Sequence, residues 1–451
     1  MLSEINGEGK GEGGKGKSLV CLQVMEVKVL ESSLVVPSEE TPKHALWLSN
    51  LDLLVARSHT PTVYFYKPNG DSTFFSPETM KASLAKTLVF FYPLAGRLAL
   101  DRTGRVEIQC TGEGVLFVVA RSEATVEDLG EFVPSTEMRM TFVPSVGAGD
   151  PILAMFQVTF FKCGGVCLGA AVHHTAADGL GALHFVNTWS DIARGAEVTV
   201  PPSIDRTILK ARSPPSISFD HVEYHAQTPP RPKSPFDSTI LKISKTQLNS
   251  LKTTKGGRPI SSFAAVVAFV WKCACKARNL SNTQQTRLYL TADARTRVSP
   301  PLPAGYLGNG IFRASAAARV EDVLSESIQS NAERIRAVTA RLNDEFIRSL
   351  VDYLEGVSDV KGLQKGNWAL PGTDMWVISW QGLPIYEADF GWGKPVYMGR
   401  ACLQFAGLVY IMHSPGEEGG LSLAVAFEPE NMERLKRVFY EDLGGAEGVQ
   451  N

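Results

Sequence analysis

Two adjacent histidines, His173 and His174, are followed by Thr-Ala-Ala-Asp178-Gly179. Imidazole, with an ordinary pKa of about 6.5, is the usual general base at neutral pH. Asp178, four residues on, has the reach either to orient the His174 ring or to tie down the loop through an arginine. His173 alone reads as a packed neighbour. A second constellation is Asp389-Phe-Gly-Trp-Gly-Lys394-Pro395. Three of the five residues from Asp389 to Gly393 are glycine or aspartate, which makes this a tight turn with Phe390 and Trp392 supplying bulk. Asp-Phe-Gly also occurs in kinases, but no strand-borne glycine-rich loop or H-R-D loop accompanies it here. For Asp389 the expectation is a structural turn that locks two domains.

Other chemistries lose on their residue patterns. The chain has no G-x-S-x-G nucleophile elbow, no H-E-x-x-H zinc pair and no dinucleotide fingerprint in a βαβ setting. Cys163, Cys167 and Cys273 sit in apolar runs where a thiolate is disfavoured. Neither Cys163/Cys167 nor Cys273/Cys275 has a second pair at zinc spacing, so no metal is expected. Gly11 to Ser18 matches the phosphate-loop pattern letter for letter, but no strand precedes it, and a Gly/Lys-rich tract generates such matches by chance.

The elements around the histidines explain how they would be held. Val166–Val172 is an apolar run after Gly164-Gly165, too short for most helices, and Leu180, Leu183 and Trp189 suggest a helix downstream. His174 is therefore expected where a buried strand ends and a loop turns into a helix, facing a cleft. Ser76-Pro77 opens a helix with Met80, Leu84 and Leu88 on one face, stopped by Pro93. Val106–Cys110, Val115–Ala120 and Ile152–Phe161 read as strands. Ser261 or Ser262 caps an apolar helix to about Arg278, and Arg287–Ala292 follows as a strand. Glu321–Leu354 reads as a long amphipathic segment. Strands at Met375–Trp380, Leu408–Met412 and Leu421–Phe427 and a helix near Pro429–Tyr440 finish the chain.

With 451 residues, 44% hydrophobic and 20% charged, the chain has ordinary globular composition, which makes disorder, collagen and coiled coil poor readings. Residues 1–24 are expected to be a disordered extension, because a Gly/Lys/Glu tract buries nothing. Eight prolines between 199 and 238 suggest an interdomain crossover. The expected division is thus 25–198, a crossover at 199–238, and 239–451, two α/β domains. A formal net charge of −2 offers no basic field for nucleic acid or membrane. No stretch approaches the roughly 18 apolar residues of a transmembrane helix. Scattered, odd-numbered cysteines and an N-terminus without a secretory core point to a soluble cytoplasmic enzyme.

In order and spacing, the two constellations resemble the plant BAHD acyltransferase family, which pairs H-x-x-x-D-G mid-chain with D-F-G-W-G near the C-terminus. His59-Thr60-Pro-Thr-Val-Tyr64-Phe-Tyr, Phe91-Tyr-Pro-Leu-Ala-Gly-Arg97 and Leu183-His-Phe-Val-Asn-Thr-Trp-Ser-Asp191 agree with it, as do Thr291-Ala-Asp-Ala-Arg295-Thr-Arg297 and Pro300-Pro-Leu-Pro-Ala-Gly-Tyr306-Leu-Gly-Asn309. The likeness runs from about Met25 to Leu443 and is strongest to the hydroxycinnamoyl-CoA shikimate/quinate branch. It implies two chloramphenicol-acetyltransferase-like domains with a channel at their interface and His174 at its middle. It implies an acyl-CoA co-substrate, no bound cofactor, a small-molecule acceptor and a monomer. His174 would be the base, with Asp178 in an ion pair preferably with Arg295. Trp392 would be an oxyanion donor, and Asp389 and Gly391 would form a structural turn. Thr60 and Tyr64 would touch substrate, and Ser262 at a helix start would face CoA. The branch carries an arginine two residues after a tryptophan, where it grips the acceptor carboxylate. This chain has Trp380-Gln381-Gly382, and glycine cannot make that contact. A polyamine or aryl amine acceptor is therefore the main rival to a shikimate-type hydroxyl, and a catalytically silent binding protein is a remote one.

Overall fold

The computed structural model describes residues 26–444 apart from 148, 226–233, 254–259, 358–362, 364–369 and 417–418. The phosphate-loop match and the 1–24 extension lie outside the described residues.

Two six-stranded sheets carry the fold. The first orders β1 (Val27–Val35), β6 (Val115–Ser122), β7 (Ala154–Phe161), β8 (Val166–His173), β3 (His59–Tyr66) and β13 (Tyr397–Arg400) side by side. The second orders β11 (Ile311–Arg319), β10 (Gln285–Asp293), β12 (Met375–Ser379), β14 (Leu408–His413), β15 (Leu421–Phe427) and β9 (Asp237–Ile243). A small third sheet joins β2 (Ala45–Trp47), β5 (Val106–Gln109) and β4 (Arg97–Leu100).

β8 is buried along its whole length, which is why Val166–Val172 reads as a continuous apolar run rather than an alternating one. In the second sheet the alternation is clean. Leu288, Leu290, Met375, Val377, Val409, Ile411, Leu423 and Val425 join one core with the helix Ser262–Ala277. Their neighbours Tyr289, Trp376, Trp380, Tyr410 and Met412 join the core built on the first sheet. Each strand of this sheet thus serves two layers, and the face toward the first sheet is the one that meets the histidines.

Two features add to the expected layout. β13 comes from the C-terminal half but pairs with β3 of the first sheet, Arg400 opposite Thr62, so the division at 199–238 does not separate the sheets. Glu321–Leu354 is three helices, Val320–Ser325, Ile328–Ala340 and Asp344–Glu355. Ser327 accepts from the Ser330 N–H and Asn343 from the Phe346 N–H, and each such cap starts a new helix inside a pattern that is amphipathic throughout.

Candidate active site

His174 follows the last residue of β8, and the helix Gly179–Ala193 starts five residues later. Its backbone N–H donates to Ser58 O at 3.0 Å. Its Nδ1 lies 3.1 Å from Asn309 Oδ1. The Asn309 amide is oriented by its other bonds: Nδ2 donates to His174 O at 2.8 Å and to Asp52 Oδ1 at 3.1 Å. Oδ1 is then an acceptor only, so Nδ1 of His174 carries the hydrogen and Nε2 carries the lone pair. Asp52 is itself held by the backbone and hydroxyl of Ser49, at 2.8 and 2.7 Å, and by the Asn309 N–H at 2.7 Å. Arg206, from the crossover, pairs with Asp52 at 3.1 Å and donates to Ala176 O at 2.8 Å. All three are buried. Elements from both halves and from the crossover therefore fix one imidazole.

Asp178 does different work. It caps the helix Gly179–Ala193 by accepting from Gly181 N–H at 3.0 Å. It takes both Arg295 Nη atoms, at 2.8 and 2.9 Å, and the Gly310 N–H at 3.0 Å. Burial alone would raise its carboxyl, but the Arg295 guanidinium and the hydrogen bonds outweigh it and leave the pKa below the ordinary value. The residue points at the second sheet's loops rather than at the His174 ring. His173 is buried at the edge of a T-shaped contact with His59, ring centroids 5.1 Å apart. Burial, with the nearby His59, His174 and Arg57, pushes its pKa down to about 3.

A narrow cavity of about 80 Å³ opens at His174 between the two sheets. Its lining includes Thr60, Gly179, Thr291, Trp376, Trp380 and Arg400. Aromatic and aliphatic walls predominate. No carboxylate lines it among the described residues. Arg400 is 1% exposed, and its Nε finds no hydrogen-bond acceptor among the described residues. Its guanidinium lies 5.4 Å from the Tyr410 ring centroid.

The structure brings together some of the expected residues and not others. Thr60 lines the cavity with His174. Tyr64 does not: it is buried in the core, because four residues of strand carry it about 13 Å along β3 from Thr60. Trp392, expected as an oxyanion donor, does not line this cavity. Its Nε1 lies 3.3 Å from Thr73 Oγ1 and its ring packs on Phe75, 5.2 Å between centroids. Asp389 Oδ1 accepts from Gly391 N–H and Gly393 N–H, both at 2.9 Å. Both glycines have φ near +100°, a conformation that L side chains avoid. Phe390, between Asp389 and Gly391, is buried against Trp189 at 5.1 Å, so the turn anchors the segment leading into β13. Ser262 is the first residue of its helix; Ser261 is the cap, and neither reaches the cavity. Gly382 has φ +78° with open space where a Cβ would stand, and it does not line the cavity. Lys394, a cation near that turn, is exposed and paired with Glu387 at 2.6 Å.

Sequence reading did not assign Asn309, Asp52 or Arg206 to the site. Asn309 lay in a stretch that matched the family, but its side chain meets His174 only through folding.

The arrangement, a histidine in a cavity between two sheet layers, is one that an acyltransferase of two-domain α/β type can use. Residues 25–442 match the model of the transferase family, and the chain belongs to that family, the BAHD acyltransferases. It is 57% identical to putrescine hydroxycinnamoyltransferase 1 of Oryza sativa subsp. japonica, over 93% of this chain and all of that one. It is 42% identical to shikimate O-hydroxycinnamoyltransferase of Nicotiana tabacum, over 92% of this chain and all of that one. Among solved structures, vinorine synthase superposes with a TM-score of 0.71 at 23% identity, covering 91% of this chain and 96% of that one. TRI101 of F. graminearum, complexed with coenzyme A and T-2 mycotoxin, gives 0.75 at 19% identity, covering 87% and 97%. The protein is thus an acyltransferase that takes acyl-CoA as co-substrate. Among the described residues no helix is long and apolar enough to cross a membrane.

Proposed function

We propose that this enzyme moves a hydroxycinnamoyl group from its CoA thioester to an amine, with His174 as general base. The observation that carries the mechanism is the tautomer set by Asn309, which gives Nε2 its lone pair at the wall of the cavity. The acceptor nitrogen attacks the thioester carbonyl while Nε2 takes its proton. The tetrahedral intermediate collapses with expulsion of CoA thiolate, and the imidazolium returns the proton to the thiolate. Neither a covalent acyl-enzyme nor a metal enters this sequence.

Two observations support the amine. The 57% identical relative is named for putrescine, and Gly382 stands where the shikimate branch places its carboxylate-gripping arginine. The nucleophilic nitrogen must arrive without its extra proton, and a largely apolar lining with two buried guanidiniums, Arg313 and Arg400, and no described carboxylate disfavours an ammonium ion there. A hydroxyl acceptor bearing an acid, such as shikimate, is the second reading, favoured by the same Arg400. The test is thiol release from p-coumaroyl-CoA with putrescine, spermidine, tyramine, shikimate and quinate in parallel. The amines should give amide and thiol one to one. Efficient esterification of shikimate with no amide product would overturn the amine reading.

A further inference from the structure

Arg400 is fully buried, stacks on Tyr410 and has an Nε without a hydrogen-bond partner among the described residues. No ion pair to it is formed among those residues either. A buried cation without an anion or acceptor is costly, and native structures keep such a group where something outside the chain completes it. The group faces the cavity that holds His174, so what completes it is a substrate oxygen.

Strand register shows which part of a substrate reaches it. Arg400 stands opposite Thr62 on β3, and Thr62 opposite Ala170 on β8. That places Arg400 two strands across and three to four residues back from the histidine at the end of β8, on the order of 15 Å between main chains. Both side chains line the same cavity, and a flat group of one ring and three carbons has the length to reach from one toward the other. Trp380 and Tyr410, ring centroids 5.2 Å apart, wall that gap, and aromatic walls suit an aromatic acyl group.

We propose that Arg400 recognises the ring oxygen of the hydroxycinnamoyl donor, and thereby selects ring-hydroxylated acyl groups over bare cinnamoyl. This rests on the transfer reaction proposed above. The shared chemistry is an oxygen that accepts hydrogen bonds from guanidinium, and the other source of such an oxygen is an acceptor carboxylate. A putrescine-type acceptor has none, so the donor is the source.

The experiment crosses two donors, p-coumaroyl-CoA and cinnamoyl-CoA, with two acceptors, putrescine and shikimate, in wild type, Arg400→Gln and Arg400→Lys. Direct titration of each variant with each donor gives Kd without turnover. In Arg400→Gln the expected result is a ten- to hundredfold loss of kcat/KM and a matching rise in Kd for p-coumaroyl-CoA. The loss for cinnamoyl-CoA should be under threefold, whatever the acceptor, and Arg400→Lys should recover part of the preference. Equal losses with both donors, or a loss that follows the shikimate carboxylate, would overturn the assignment. If wild type transfers to no acceptor while the donor preference in Kd persists and vanishes in Arg400→Gln, the transfer reading falls and the recognition role stands.

Discussion

Arg295 and Arg400 are both buried arginines at the seam between the two sheets, and they differ in one respect. Arg295 is saturated: Asp178 takes both Nη atoms, and Asp293 adds a contact at 3.1 Å. Arg400 has only the face of an aromatic ring. A saturated buried cation is part of the fold, since its partner was made in the same chain, and removing either member strands a charge. An unsaturated one in a cavity wall contributes little to the fold and is there for a ligand. The contrast also separates the H-x-x-x-D pair: Asp178 belongs with the structural arginine, and His174 with the cavity.

Paired substitutions test that contrast. Arg295→Met should cost about 3–5 kcal/mol, because Asp178 is left buried and uncompensated. Arg400→Met should stay within about 1 kcal/mol of wild type, having lost a cation–ring contact and an unpaired charge together. Urea denaturation of the two variants reads this, and equal losses would erase the distinction. Asn309→Ala, which frees the ring His174 must hold in one orientation, should lower kcat by about 10²-fold and move the pH–rate profile. A fall in stability with an unchanged profile would make Asn309 a packing residue only. His173 titrates in the opposite sense to a stabilising ion pair. Its folded pKa of about 3 lies below the ordinary 6.5, so the unfolded chain binds more protons between these values and stability falls as pH drops through that window. Between pH 6.5 and 5 wild type should lose about 2 kcal/mol more than His173→Gln; parallel pH curves would contradict this. Smallest is Gly382→Arg, which must adopt φ +78° at about 1–2 kcal/mol. With open space around it, the new cation should slow putrescine more than shikimate, and equal slowing would place it away from the acceptor's path.

Local pattern carried much of this structure into the sequence. The strand Val166–Val172, the helix after Asp178 and the Asp389 turn were legible because each is written in neighbouring residues: an apolar run, a cap, glycines flanking an aromatic. What was illegible is what only tertiary contact makes. Asn309 is 135 residues from His174, and no spacing rule links an asparagine to an imidazole across that distance. β13 is four residues long, too short to show a period, yet it delivers Arg400 into the other half's sheet. Tyr64 was misplaced because Thr60 and Tyr64 share a strand face, and sharing a face does not mean sharing a cavity. Trp392 was expected at the site because it belongs to the D-F-G-W-G motif, but its indole turns to Thr73 and Phe75.

The central claim is that His174 moves the proton in acyl transfer, and it is tested by comparing wild type with His174→Ala for thiol release and for p-coumaroyl-CoA binding in the same preparation. Loss of about 10²–10⁴ in turnover with Kd for the thioester unchanged is the predicted result, since the change removes a base and little contact surface. A variant that keeps more than about a tenth of wild-type turnover, or that loses thioester binding in proportion to activity, would contradict it.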